Sequence, residues 1–162
     1  MTSAPGIKLS GLTDREACID AVYRFVQGID DNNRELADSA FTEDCKFDLS
    51  SVMAGDEAIG TFDSRDAFVS QLAEHVFGLD TLHQLTNFRV DIRGDTAALT
   101  CMTLAQHFRA GEGPTPDKVG YLMGNRFNAQ LKKEEEGFWR VSNLAIRCQW
   151  AQGDSNAFTS AR

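Results

Sequence analysis

From Thr13 onward, apolar residues recur every three or four positions: Cys18, Ile19, Val22, Phe25, Val26 and Ile29. That spacing lays them on one face of a helix. Thr13 and Glu16 in "TDRE" form a capping-box pattern at its start. A short second helix is expected over 34–41, with Leu36, Ala37 and Ala40 as its inner face. In "CKFDLSSVM", Phe47 and Leu49 alternate with polar neighbours and predict a strand. Residues 54–63 carry Gly55 and Gly60 and read as a loop. Asp63 or Ser64 then caps a third helix whose stripe is Phe68, Val69, Leu72, Val76 and Leu79. After Asp80 the period falls to two. "TLHQLTNFRVDI", "TAALTCMTLAQHFRA", "KVGYLMGNRFNAQLKK" and "FWRVSNLAIRCQW" predict four long strands, parted by the turn-like "RGD", "GEGPTPD" and "EEEG".

Helices with one strand, followed by a four-strand meander, define an α+β class. The expected architecture is a curved antiparallel sheet with about three N-terminal helices across it, enclosing a conical cavity that suits a small molecule. One domain is expected over 12–155, with a flexible arm at 1–11 and a tail at 156–162.

Charge narrows the partners. The chain of 162 residues carries a formal net charge of −8, which argues against nucleic acid and anionic membrane surfaces. No run reaches the ~18 apolar residues of a membrane span, and "MTSAPGIKLSG" lacks the apolar centre of a secretory signal. Cys18, Cys45, Cys101 and Cys148 have no CxxC spacing and sit in apolar segments. They read as reduced core thiols, and the expected location is cytoplasmic.

Candidate chemistry starts at "FVQGIDDNNREL", where a helix ends on Asp30 and Asp31. A helix C-terminus disfavours carboxylates. Asp31, Asn32 and Asn33 have an ordinary explanation as turn residues, whereas Asp30 directly follows the apolar stripe. Burial, the helix end and Asp31 are all expected to raise the Asp30 pKa.

Five segments together resemble the SnoaL-like branch of the NTF2-like superfamily, the branch of scytalone dehydratase and bile acid 7α-dehydratase. They are "VYRFVQGIDDNN", "LADSAFTEDCKFDL", "TLHQLTNFRVDIRGDTAAL", "EEGFWRVSNLAIRCQW" and "QWAQGD". The resemblance spans about residues 14–154 and implies the cone-shaped fold. It also implies a catalytic pair, Asp30 at the end of the first helix and His83 on the second strand. His107 and Asn128 are the implied counterparts of a second histidine and an asparagine in scytalone dehydratase. That enzyme's two tyrosines fall on Ile29 and Leu49 here, and a serine falls on Arg126. The resemblance therefore extends to the pair and not to scytalone as substrate.

With Asp30 holding its tautomer, His83 is suited to abstract a proton next to a carbonyl. Asn128, Arg126 or Tyr121 would supply a donor to the enolate, and His107 would protonate a leaving hydroxyl or the enolate oxygen. Dehydration, isomerisation and cyclisation share this machinery. Leu49, Met53, Tyr121 and Trp150 are expected to line an apolar cavity for a polyketide, steroid or terpenoid ring system. His75, mid-helix, reads as structural. The expectation is thus a cofactor-free lyase or isomerase, without metal, working as a homo-oligomer (dimer or trimer). A non-catalytic ligand-binding or structural subunit of the same fold is the alternative. A metal triad of Asp30, His83 and His107 is a third.

Overall fold

A computed structural model describes residues 6–52 and 59–160. Its elements in chain order are α1 (Asp14–Asp30), α2 (Arg34–Ser39), β1 (Phe41–Ser51), β2 (Thr61–Phe62), α3 (Arg65–His75), β3 (Asp80–Arg93), β4 (Thr96–Phe108), β5 (Tyr121–Lys133) and β6 (Trp139–Gly153). Six strands form one sheet in the order β2-β1-β6-β5-β4-β3. The meander from β3 to β6 is antiparallel throughout, and β1 lies parallel to β6. The fold is the expected α+β cone: three helices over a curved, unclosed sheet.

Four boundaries differ from the sequence expectation. The second helix stops at Ser39, because Ala40 and Phe41 enter the sheet. Thr61 and Phe62 leave the expected loop to pair with Asp48 and Phe47. The third helix ends at His75, although Leu79 beyond it is buried. Residues 156–160, expected to belong to a tail, fall in a 3-10 turn (Ser155–Ser160) that buries Ala157.

The α1 stripe packs on the inner face of the sheet as its spacing requires. Cys18, Val22, Phe25, Val26 and Ile29 are buried with Leu99, Phe127, Leu131, Leu144 and Ile146. Phe25, Phe41, Phe47 and Phe68 knit α1, β1 and α3 together, with the Phe47 and Phe68 rings stacked at 4.0 Å. Each such side chain contributes roughly 1.5–3 kcal/mol of burial.

Two contacts fix the C-terminal half of α1. Arg24 is buried; it donates to the Ser39 carbonyl and, at 2.7 Å, to the Trp139 carbonyl, and pairs with Asp20 at 2.9 Å. Burial lowers its pKa to about 10, so it stays charged at neutral pH and ties α1 to α2 and β6. At Gly28, α1 and α2 nearly touch: an added Cβ would lie 2.5 Å from the Ala37 nitrogen.

Candidate functional site

The four residues after Ile29 have four separate tasks. Asp30 reaches β3, as set out below. Asp31 accepts from the Gln27 amide at 3.1 Å. Asn32 takes the left-handed conformation at φ 52° and accepts from the Gly78 N–H, which holds the α1–α2 turn against the start of β3. Asn33 caps α2 through the Leu36 N–H at 3.0 Å.

Asp30 and His83 meet directly. His83 Nδ1 lies 2.7 Å from Asp30 Oδ1, and the His83 main-chain N–H donates to Oδ2 at 2.9 Å. The Thr81 hydroxyl donates to Oδ1 at 2.8 Å. Side-chain exposure is 8% for His83 and 14% for Asp30, so these bonds are shielded from water. Burial raises the carboxyl pKa. The His83 hydrogen bonds and charge, with the Thr81 hydroxyl, outweigh it, and the net direction is downward. The expected upward shift is therefore corrected. Local sequence shows the helix end and Asp31; it does not show three donors arriving from β3.

A carboxylate facing Nδ1 places the ring proton there in the neutral imidazole. Nε2, on the far side of the ring, then carries the basic lone pair. His107 stands perpendicular to His83, with ring centroids 5.5 Å apart. Its Nδ1 donates to the Tyr121 carbonyl at 3.2 Å. Burial, and then the neighbouring His83, lower its pKa to about 4. His107 is thus neutral at physiological pH, with the Nδ1–H engaged.

Strand register sorts the other expected site residues. On the inner face, Thr81, His107 and Tyr121 form one row, and His83, Ala105 and Met123 the next. Leu85, Thr103, Asn125 and Cys148 form a third row on that face. Tyr121 is half-buried there, its ring 5.7 Å from Phe158, which also packs on His107 at 4.7 Å. Leu49 is buried in the core on β1. Met53 lies outside the described residues.

Arg126, Asn128 and Trp150 are corrections. Arg126 and Asn128 alternate with buried Phe127 and Ala129, and so face the opposite side of the sheet from His83. Trp150 would share the inward phase of Ile146 and Cys148. A bulge at Gln149 turns it outward, opposite Gly124 and 48% exposed. There it joins Leu82, Met102 and Leu104 as exposed apolar side chains.

Two inward polar residues were not anticipated. Thr103 and Asn125 are cross-strand partners, 2% and 8% exposed, and Thr103 Oγ1 and Asn125 Oδ1 have no hydrogen-bond partner. Their signal in the sequence is phase: Asn125 keeps step with Met123, Phe127 and Leu131, whereas Asn128 does not. Such orphaned buried groups cost about 1–3 kcal/mol each, and a ligand group can satisfy them.

A groove of about 550 Å³ runs beside the edge strand, with Thr81, Leu82, Phe108 and Pro114 in its wall. Thr81 therefore touches both the groove and Asp30. A larger depression of about 810 Å³, by Lys8, Lys133 and Arg140, is not lined by Asp30 or His83. Among the described residues, no three His, Cys, Asp or Glu side chains are grouped to hold a metal ion, and no helix is long and apolar enough to cross a membrane.

A helix-backed cone whose inner face carries a half-buried histidine–carboxylate pair defines a small α+β protein of the NTF2-like class. The chain belongs to the SnoaL-like family: the SnoaL-like domain matches residues 10–145. It is 35% identical to terrestric acid biosynthesis cluster protein E of Penicillium crustosum, covering 96% of this chain and 98% of that one. Two solved structures share the fold. One is hexachlorocyclohexane dehydrochlorinase LinA-type3 from Novosphingobium barchaimii, with 19% identity, TM-score 0.67, and 87% and 90% of the two chains covered. The other is a candidate scytalone dehydratase from Novosphingobium aromaticivorans, with 17% identity, TM-score 0.66, and 86% of each chain covered.

Proposed function

We propose that the protein is a cofactor-free lyase acting on an apolar, carbonyl-bearing small molecule of a biosynthetic pathway, with His83 as general base. The observation that carries this is the 2.7 Å bond between His83 Nδ1 and Asp30 Oδ1 inside the cone. It gives Nε2 the lone pair and gives the imidazolium a half-buried counter-charge. A non-catalytic subunit has no need of such a pair. Two names support the reaction class: a relative named for a biosynthesis cluster and a fold neighbour named a dehydrochlorinase.

In the proposed reaction, Nε2 takes the proton from the carbon next to the carbonyl, the C–H electron pair becomes the enolate double bond, and the C=O π pair moves onto the oxygen. The enolate oxygen re-forms the C=O bond, the enolate pair forms the new C=C bond to the β-carbon, and the β C–O bond breaks to release the hydroxyl. His107, neutral with Nδ1–H engaged, is a poor acid. The proton for the departing hydroxyl is therefore the one His83 has just taken, and water leaves with no net proton change. Hydrogen and hydroxyl must then depart from the same side of the substrate. Asn125 and Thr103, one row from His83, hydrogen-bond the substrate's polar groups. Isomerisation follows from the same enolate if the proton returns to another carbon, and cyclisation if the enolate attacks a second carbonyl.

The test is proton exchange in D₂O with a panel of apolar β-hydroxyketones, followed by NMR. Wild type is expected to wash deuterium into the position next to the carbonyl and to release water, and His83→Ala to do neither. Equal exchange by the two proteins would sink the proposal.

A further inference from the structure

Thr81 and His83 are two residues apart on one strand, so their side chains share a face. Both donate to the same atom, Asp30 Oδ1, at 2.8 and 2.7 Å, while the His83 main-chain N–H holds Oδ2 at 2.9 Å. The carboxylate is thereby pinned at both oxygens. Threonine is also stiff at χ1, so its hydroxyl is a fixed donor rather than an occasional one. A donor on a carboxylate draws electron density from it. The carboxylate then stabilises an imidazolium less than an otherwise identical, singly bonded one.

We infer that Thr81 is a positioning residue that fixes the Asp30 carboxylate plane and, through Oδ1, sets the proton affinity of His83. This rests on the reading of His83 as the base. Among the described residues, the titratable groups in contact with the ring are Asp30 from α1 and His107 from β4, and Tyr121 lies in the adjoining row. His107 is held neutral by its burial, so Asp30 is the charge His83 responds to, and Thr81 is the side-chain hydroxyl that adjusts it. Removing that hydroxyl makes His83 more basic and loosens the Asp30 rotamer.

The experiment is an NMR titration of the histidine rings in the full chain, labelled with ¹⁵N and ¹³C histidine. With three histidines in the sequence, resonances are assigned by substituting His75 and His107. Thr81→Val is expected to raise the His83 titration midpoint by about half a pH unit, roughly a threefold change in protonation equilibrium. Thr81→Ser, which keeps the donor, should titrate like wild type. If valine prevents folding, Thr81→Ala carries the same comparison without a methyl pressed on Asp30. A Thr81→Val or Thr81→Ala midpoint equal to wild type overturns the inference. The ring ¹⁵N shifts keep it separable from the proposed function. A neutral His83 protonated at Nε2 would remove the base itself, whereas the Nδ1–H tautomer with an unmoved midpoint would remove Thr81 alone.

Discussion

Asp30 Oδ1 and His83 Nδ1 stand 2.7 Å apart, joined from the C-terminal end of α1 to the edge strand β3 across 53 residues of sequence. The same carboxylate accepts from the Thr81 hydroxyl and the His83 N–H. It therefore binds α1 to β3 as well as setting the histidine's tautomer.

The first prediction follows from that double task. His83→Ala and Asp30→Asn each abolish turnover. From the helix-end argument alone, Asp30→Asn would be expected to stabilise the protein. With three donors on the carboxylate, it should instead lower stability by about 1.5–3 kcal/mol, the usual range for hydrogen bonds to a charged group. Urea denaturation at pH 7 checks this, and an unchanged or raised midpoint refutes it.

The second concerns acid. His107 titrates near 6.5 in an unfolded chain and about 4 in the folded one. Between those values the unfolded chain binds more protons, so stability falls as pH drops through that window, by up to about 3 kcal/mol. Asp30, whose pKa is lowered, contributes stability that is lost only as pH falls below the ordinary carboxylate value of 3.8. The two losses are therefore separate. His107→Gln, which retains a donor for the Tyr121 carbonyl, should flatten the change between pH 6.5 and 4.5. It should also leave measurable turnover, since the proposed reaction does not use His107 as the acid. Denaturation at several pH values and one activity assay decide both points.

Much of this was legible in the sequence where the signal is local. The α1 stripe, its capping box and the meander all follow from periodicity, and Asp30 stood out because a carboxylate ended a buried face. His83 came from a motif and is in inward phase. Non-local pairing was not legible. Nothing in "TF" at 61–62 marks its pairing with β1, and nothing marks β1 as parallel to β6. Motif spacing points Asn128 and Arg126 to the site, whereas strand alternation puts them on the outer face. Trp150 defeats alternation as well, because a one-residue bulge reverses every position after it.

That phase distinction yields the third prediction. Asn125→Leu and Thr103→Val remove buried polar atoms that have no partner. They should raise the stability of the free protein by about 1 kcal/mol while reducing turnover or ligand affinity. Arg126→Ala and Asn128→Ala, on the other face, should leave turnover unchanged and stability within about 0.5 kcal/mol. If the outer pair impairs turnover and the inner pair does not, the site has been assigned to the wrong side of the sheet.

The fourth prediction concerns how α1 is held where Asp30 can reach β3. At an exposed helix interior, Gly→Ala stabilises by about 1 kcal/mol. At Gly28 the new Cβ would lie 2.5 Å from the Ala37 nitrogen, 2.7 Å from its Cβ and 2.8 Å from its Cα. Overpacking of this kind costs about 1–3 kcal/mol, and here backbone atoms, unable to rotate aside, receive the new methyl. Gly28→Ala should therefore destabilise the protein and, by shifting the last turn of α1, weaken the Asp30–His83 bond and lower turnover. Adding Ala37→Gly should restore little, since it removes the contact at 2.7 Å and leaves the two backbone contacts in place. Thermal melts of the single and double variants check this; full recovery in the double variant would show that the side chain, not the backbone crossing, sets the α1–α2 distance.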